Sequence, residues 1–173
     1  MDWYDLIFLL IDMRSFSNLW YWIGLAVLWS SASHWVMGIP FDLINRARKD
    51  ESVAHDLEVM SLINARRFVA IFQRAGLWMV GMACFVLAGL FTLAVFYRVE
   101  FAQAVLLMVA PMTLVMTLNM RLAHRLVQHE PKGEELVRGL LRHRMLVQFI
   151  GMIAILVTSM IGMFINLSLA RSL

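Results

Sequence analysis

The chain has 173 residues, 61% of them hydrophobic and 16% charged, with a formal net charge of +3. An ordinary soluble domain is about 45–50% apolar and about 25% charged, and one of this size still leaves much of its surface in water. A soluble enzyme, a disordered tail and a disulfide-stapled secreted scaffold are therefore poor readings, and a bilayer is the natural solvent for this surface.

Residues 2–13 put Asp2, Asp5 and Asp12 on one helical face and Trp3, Ile7 and Leu10 on another, which predicts a short interfacial helix. The start Met1-Asp2-Trp3-Tyr4-Asp5 lacks the positive n-region of a cleavable signal, so none is expected. Four charge-free runs follow: Ser15–Phe41, Ala75–Tyr97, Phe101–Met120 and Met145–Ala170, of 27, 23, 20 and 26 residues. A helix needs about 20 mostly apolar residues to cross the hydrocarbon core. The runs are too long for barrel strands and lack their alternation. They predict four transmembrane helices, with cores near Leu19–Met37, Leu77–Tyr97, Phe101–Leu118 and Leu146–Ile165.

Local signals agree. Ser17 and Asn18 are candidate caps for the first helix, and Gly38-Ile39-Pro40 is expected to end it. Tyr97-Arg98-Val99-Glu100 is short enough to force an antiparallel hairpin. Pro131 and Gly133 break the third connection. Trp20, Trp22, Trp35 and Trp78 fall near run ends, where indoles favour the headgroup region.

Two of the connections are expected to be helical. Asp50-Glu51-Ser52 resembles a helix start, and Leu57, Met60, Phe68, Ile71 and Phe72 fall roughly on one side, with Arg66, Arg67 and Arg74 off it. Either an amphipathic helix on the inner leaflet or a cytoplasmic extension of the second span fits. The three arginines would then meet anionic lipid or a partner subunit. Glu134, Arg138 and Arg142 at i, i+4 and i+8 favour a helix leading into the fourth span. Together these readings give an all-α membrane protein with four transmembrane helices, cytoplasmic helical extensions and a short N-terminal interfacial helix. It forms one domain over 1–173, with the interfacial segment at 1–18, an amphipathic loop at 39–76 and a cytoplasmic hairpin at 119–144.

Twelve of the fifteen Lys and Arg lie in the first and third connections. The positive-inside rule places both loops in the cytoplasm and both termini outside. The charge therefore reports orientation; no nucleic-acid partner is implied, since basic residues flank spans and alternate with acids.

Polar residues inside the runs are few. Ser30, Ser33 and His34 make a possible intramembrane site, for interhelical hydrogen bonding or for a proton or ligand. His124 and His143 flank the Pro131–Gly133 turn, and with His34 they raise the question of a metal or haem. Neighbouring Arg125, Arg142 and Arg144 argue against it, and no cofactor or metal is expected. Met108, Met112, Met116 and Met120 recur every fourth residue, a spacing that suits either Cu(I) or adaptable packing. With 14 Met over every span, packing is the expectation. Gly151, Ala154, Thr158 and Gly162 form a small-residue stripe on the fourth span, and Gly81, Cys84 and Ala88 a shorter one on the second. Such stripes let helices approach closely, within one chain or between chains. The lone Cys84 excludes an internal disulfide and CxxC chemistry. No HExxH, GxSxG, Walker or GxGxxG motif occurs.

The strings Ile11-Asp12-Met13-Arg14-Ser15-Phe16-Ser17-Asn18-Leu19-Trp20-Tyr21-Trp22, Ser33-His34-Trp35, Val99-Glu100-Phe101-Ala102-Gln103-Ala104 and Ile150-Gly151-Met152-Ile153-Ala154 resemble small bacterial inner-membrane proteins that carry the label "component of SufBCD complex". The resemblance runs over most of the chain. It implies an inner-membrane accessory protein linked to iron–sulfur cluster assembly, and it carries over no catalytic or ligand residue. The expected function is thus a non-enzymatic accessory or assembly subunit of a bacterial membrane complex, energy-transducing complexes included. Its partners would be lipid and other subunits. The alternative is a homo-oligomeric ion or proton pore lined by Ser30, Ser33 and His34.

Overall fold

A computed structural model describes residue 16 and residues 18–170, apart from the side chains at 166 and 168–170. The expected interfacial helix at 2–13 lies outside the described residues, as does Ser17. The fold is all-α except for one minimal hairpin. Its elements are α1 (Leu19–His34), β1 (Trp35–Val36), β2 (Ile39–Pro40), α2 (Phe41–Ala47), α3 (Glu51–Val95), α4 (Glu100–His129) and α5 (Gly133–Ala170). Three helices, α3, α4 and α5, are long and apolar enough to cross a membrane.

The helix starts follow from local chemistry. Asn18 Oδ1 accepts from the Trp20 amide at 3.0 Å, satisfying one of the orphan donors of α1. Asp50 Oδ1 does the same for α3, accepting from the Ser52 amide at 3.0 Å and its hydroxyl at 2.8 Å.

The end of α1 departs from the expected span core at Leu19–Met37. The helix has 16 residues and stops at His34, because the next six fold back on themselves. Trp35 pairs with Pro40 and Val36 with Ile39 across a two-residue loop. Met37 (φ 51°) and Gly38 (φ 80°) are both left-handed, the requirement of a type I′ turn. Glycine takes that conformation freely, whereas methionine is disfavoured there. Burial compensates: Val36, Met37 and Ile39 are all sequestered in the core beneath the turn. The expected Gly38-Ile39-Pro40 break is therefore a hairpin.

α3 is one continuous 45-residue helix, about 68 Å long, more than twice a hydrocarbon core of about 30 Å. The charge-free run Ala75–Tyr97 and the basic segment before it thus share a single rod up to Val95. A four-residue turn, Phe96–Val99, returns the chain antiparallel along it as α4. Gln103 Nε2 donates to the Ala94 carbonyl at 3.0 Å across this turn and sets the register. α4 ends at Glu130, held left-handed at φ 41°, and α5 starts at Gly133, as Pro131 and Gly133 imply.

Two apolar cores result. The larger gathers Val36, Met37, Ile39, Ile44 and Ala47 with the charged-end halves of α3 (Leu57, Ala65, Val69), α4 (Ala123, Leu126) and α5 (Leu136, Val137, Leu140). The smaller joins Leu25 and Trp29 of α1 to Val115 of α4 and to Val147 and Ala154 of α5, within the charge-free runs. The face that α3 buries in the larger core is Leu57, Ser61, Ala65 and Val69, one residue per turn. Of the expected stripe, Met60 and Ile71 are exposed instead. The stripe meets the chain's own α4 and α5, so that neither lipid nor a partner is needed to cover it.

Candidate functional site

The small-residue stripe of α5 is where the structure is tightest. Gly151, Ala154, Thr158 and Gly162 are all buried. A Cβ added to Gly151 would lie 2.7 Å from Trp29 Cε3, and one added to Gly162 would lie 3.1 Å from Phe16 Cδ1. The stripe thus receives Trp29 of α1 and Phe16, three residues before that helix, within one chain. Dispersion over such close contact replaces the hydrophobic effect that lipid does not supply. The Thr158 hydroxyl donates back to the Ala154 carbonyl at 2.7 Å, so no polar atom is left facing the seam. Phe16 is tied further: its amide donates to Glu100 Oε1 and its carbonyl accepts from Trp22 Nε1, both at 3.0 Å. The Tyr21 hydroxyl donates to the Ala104 carbonyl at 3.2 Å. Trp29 Nε1 is the exception, a buried donor with no acceptor among the described residues.

The second stripe behaves differently. Gly81, Cys84 and Ala88 are exposed, and a Cβ on Gly81 would meet nothing within 4 Å. Among the described residues this stripe packs against no other helix of the chain, contrary to its expected role if that role were intramolecular.

The serine–histidine group does not converge. Ser30 and His34 are exposed and Ser33 is half-buried. His34 stacks edge-on against Trp35, with centroids 5.7 Å apart. The Ser33 carbonyl accepts from Arg144 Nε at 3.1 Å, and the Arg144 guanidinium carbon sits 3.4 Å over the Phe41 ring. Arg144 therefore satisfies one of the free carbonyls in the last turn of α1 and binds α5 to α2 by a cation–π contact.

His143 is the buried histidine, only 6% exposed, and its Nε2–H donates to Asn119 Oδ1 at 2.7 Å. The pair links α5 to α4 at the boundary between the two cores. Sequence reading passed over Asn119; its one signal was its place at the charged end of a charge-free run. Burial pushes the His143 pKa below its ordinary value, so the imidazole is neutral at pH 7. Because the unfolded chain binds this proton more readily, stability contributed by the neutral pair is complete above about pH 6.5 and is lost as pH falls through the lowered folded value. The melting temperature of the purified protein should therefore fall between pH 7.5 and pH 5, and His143→Gln should flatten that dependence. His34, His124 and His143 make no metal centre: no group of three or more His, Cys, Asp or Glu is placed to hold a metal ion among the described residues.

Of the three arginines expected to meet lipid or a partner, Arg66 is engaged by the chain itself. Its Nη2 lies 3.1 Å from Glu130 Oε1, with the two side chains 61% and 52% exposed. Such a pair is worth about 0–1 kcal/mol. Arg67 and Arg74 are exposed and outside any ion pair among the described residues. Arg138 pairs with Glu134 one turn before it, as their spacing implies. Glu58 Oε1 accepts from the Gly133 amide at 2.6 Å, which pins the α4–α5 turn to α3. Beside that clasp lies a cavity of about 240 Å³ walled by His55, Glu58, Ser61, Glu130 and Lys132.

No protein family matches the chain, and neither does a curated protein or a solved structure.

Proposed function

We propose that this chain is a non-enzymatic accessory or assembly subunit of a bacterial inner-membrane complex, with four spans, both termini periplasmic and both basic connections cytoplasmic. α1 serves as the first span. At about 24 Å it is shorter than the hydrocarbon core, a mismatch that local thinning of the bilayer accommodates at modest cost. The observation that carries the functional reading is the uncovered stripe of α3. The chain covers its other small-residue stripe and builds its own water-side core, yet it leaves Gly81, Cys84 and Ala88 bare. Small residues on a lipid-facing helix are what a neighbouring transmembrane helix packs against.

Solubilisation of native membranes in a mild detergent, followed by native mass measurement, tests this. We expect a heteromeric assembly containing one or a few copies of this chain. A ring of identical chains would favour the pore lined by Ser30, Ser33 and His34 in its place. Reporter fusions after Lys49 and after Lys132 should both read cytoplasmic, and one at Leu173 periplasmic. A cytoplasmic Leu173 would reverse the orientation or remove a span.

A further inference from the structure

We propose that the neighbouring helix of the assembly continues past the bilayer along the water-side half of α3 and presents Asp or Glu side chains to Arg67 and Arg74, a placement that rests on the docking reading given above. Val59, Met60 and Ile63 are 46%, 36% and 53% exposed, and Arg67, Ala70 and Arg74 are exposed beside them. At 3.6 residues per turn the six share an arc of about 100°. That arc is opposite the buried row Leu57, Ser61, Ala65 and Val69. Met60, Ile63, Arg67, Ala70 and Arg74 alternate steps of three and four, the spacing of a coiled-coil seam. The same register runs on through Leu77, Gly81, Cys84 and Ala88, so the water-side face and the bare stripe form one continuous seam.

Length and charge select the occupant. α3 is unbroken from Glu51 to Val95, so Ile63, twelve residues before Ala75, stands about 18 Å outside the charge-free run. A headgroup layer is about 5–8 Å thick, too thin for lipid to cover that position. Residues before Phe16 join the fold at the opposite end of the bundle, where the Phe16 amide donates to Glu100. Copies of one chain share one membrane orientation, so a second copy would dock parallel and in register. Asp56 would then face Asp56, Arg67 face Arg67 and Arg74 face Arg74, and like charges opposed along a seam disfavour that pair. Neither Arg67 nor Arg74 forms an ion pair among the described residues, and α3 has no acid after Glu58. Asp56 is eleven residues, about 17 Å, from Arg67. A helix with two carboxylates seven residues apart meets both guanidiniums at once through charge-assisted hydrogen bonds, while its apolar side chains cover Met60, Ile63 and Ala70.

Two measurements on the full-length protein in native membranes test this. A photoreactive benzoylphenylalanine placed at Ile63 should crosslink to a segment that adjoins a transmembrane helix of another protein, and the peptide sequenced from the adduct should carry two acids seven residues apart. Arg67→Glu with Arg74→Glu should lower recovery of the heteromeric assembly in mild detergent by about tenfold or more, the effect of like charges set across an interface. Both arginines are exposed and outside any ion pair among the described residues, so the melting temperature of the isolated chain should not change. Arg125→Glu with Arg142→Glu, exposed positions on α4 and α5 with the same change in net charge, should leave the assembly intact. No adduct, or an adduct with a second copy, with lipid or with a segment lacking acids, overturns the inference. So does an assembly that survives the Arg67/Arg74 reversal, which leaves helix docking within the bilayer standing. A wild-type chain recovered only as a monomer or as a ring of identical copies overturns the docking reading and this inference together.

Discussion

Leu140→Ala should cost about 2–5 kcal/mol, the range for truncating a fully buried leucine. Leu140 is fully buried among Leu136, Val137, Ala123 and the hairpin residues Val36 and Ile39. Apart from its hairpin residues this core lies outside the charge-free runs, where the alternative to burial is water, so the hydrophobic effect acts at full strength. Removing the side chain forfeits its transfer free energy and leaves a cavity that the hairpin and three helices close only in part. The melting temperature in detergent should drop by several degrees, while the amount of chain inserted into membranes should stay constant, since the runs that direct insertion are untouched. Leu156→Ala is the matched control. Leu156 is largely exposed within the fourth run, with lipid on both sides of the comparison, and its truncation should change stability little. Equal losses at both positions would mean that the larger core does not fold in water.

The second large effect belongs to the opposite operation, addition of a methyl group. At Gly151 a Cβ would stand 2.7 Å from the Trp29 ring, so the indole or the α1 backbone has to move. Trp29 is itself clamped by Leu25, Val115 and Val147. Overpacking of this kind costs about 1–3 kcal/mol, and Gly151→Leu should exceed Gly151→Ala. The contrast with Gly81→Ala is the informative measurement. Nothing lies within 4 Å of that position, and replacing a mid-helix glycine by alanine should stabilise the isolated chain by about 0.5–1 kcal/mol. If the uncovered stripe docks a neighbouring helix, the same Gly81→Ala should nonetheless reduce recovery of the assembly. A chain made more stable and a complex made weaker by one methyl group would separate the two stripes by function.

Charge exclusion carried most of the architecture. Runs without Asp, Glu, Lys or Arg mark the apolar parts of α3, α4 and α5, and the Asp50 start and the Pro131–Gly133 break are written in side-chain chemistry that acts locally. Other features were illegible for identifiable reasons. The Trp35–Pro40 hairpin has two residues per strand, too few to show a period, and Met37 occupies a left-handed turn position where asparagine or glycine would have signalled it. The buried face of α3 was misread because close helix packing selects small residues: Ser61 and Ala65 face the core, while bulkier Met60 and Ile71 are exposed. The stripe on α5 was legible as a packing face, but its partner was not, since small residues record that something comes close without recording what. Asn119 and His143 are brought together by tertiary register, 24 positions apart.

The unbroken length of α3 gives the molecule a lever. Its membrane half and its water-side half share one hydrogen-bonded backbone of 45 residues, with no proline and no turn between them. Such a helix pivots more readily than it bends. A tilt of about 10° about its midpoint displaces each end by about 6 Å, given a rise of about 1.5 Å per residue. Glu58 ties the far arm to the α4–α5 turn through the Gly133 amide, and Arg66 ties it to Glu130. Any displacement of the bilayer half of α3 would therefore be felt, one helix length away, at the turn that joins the other two long helices.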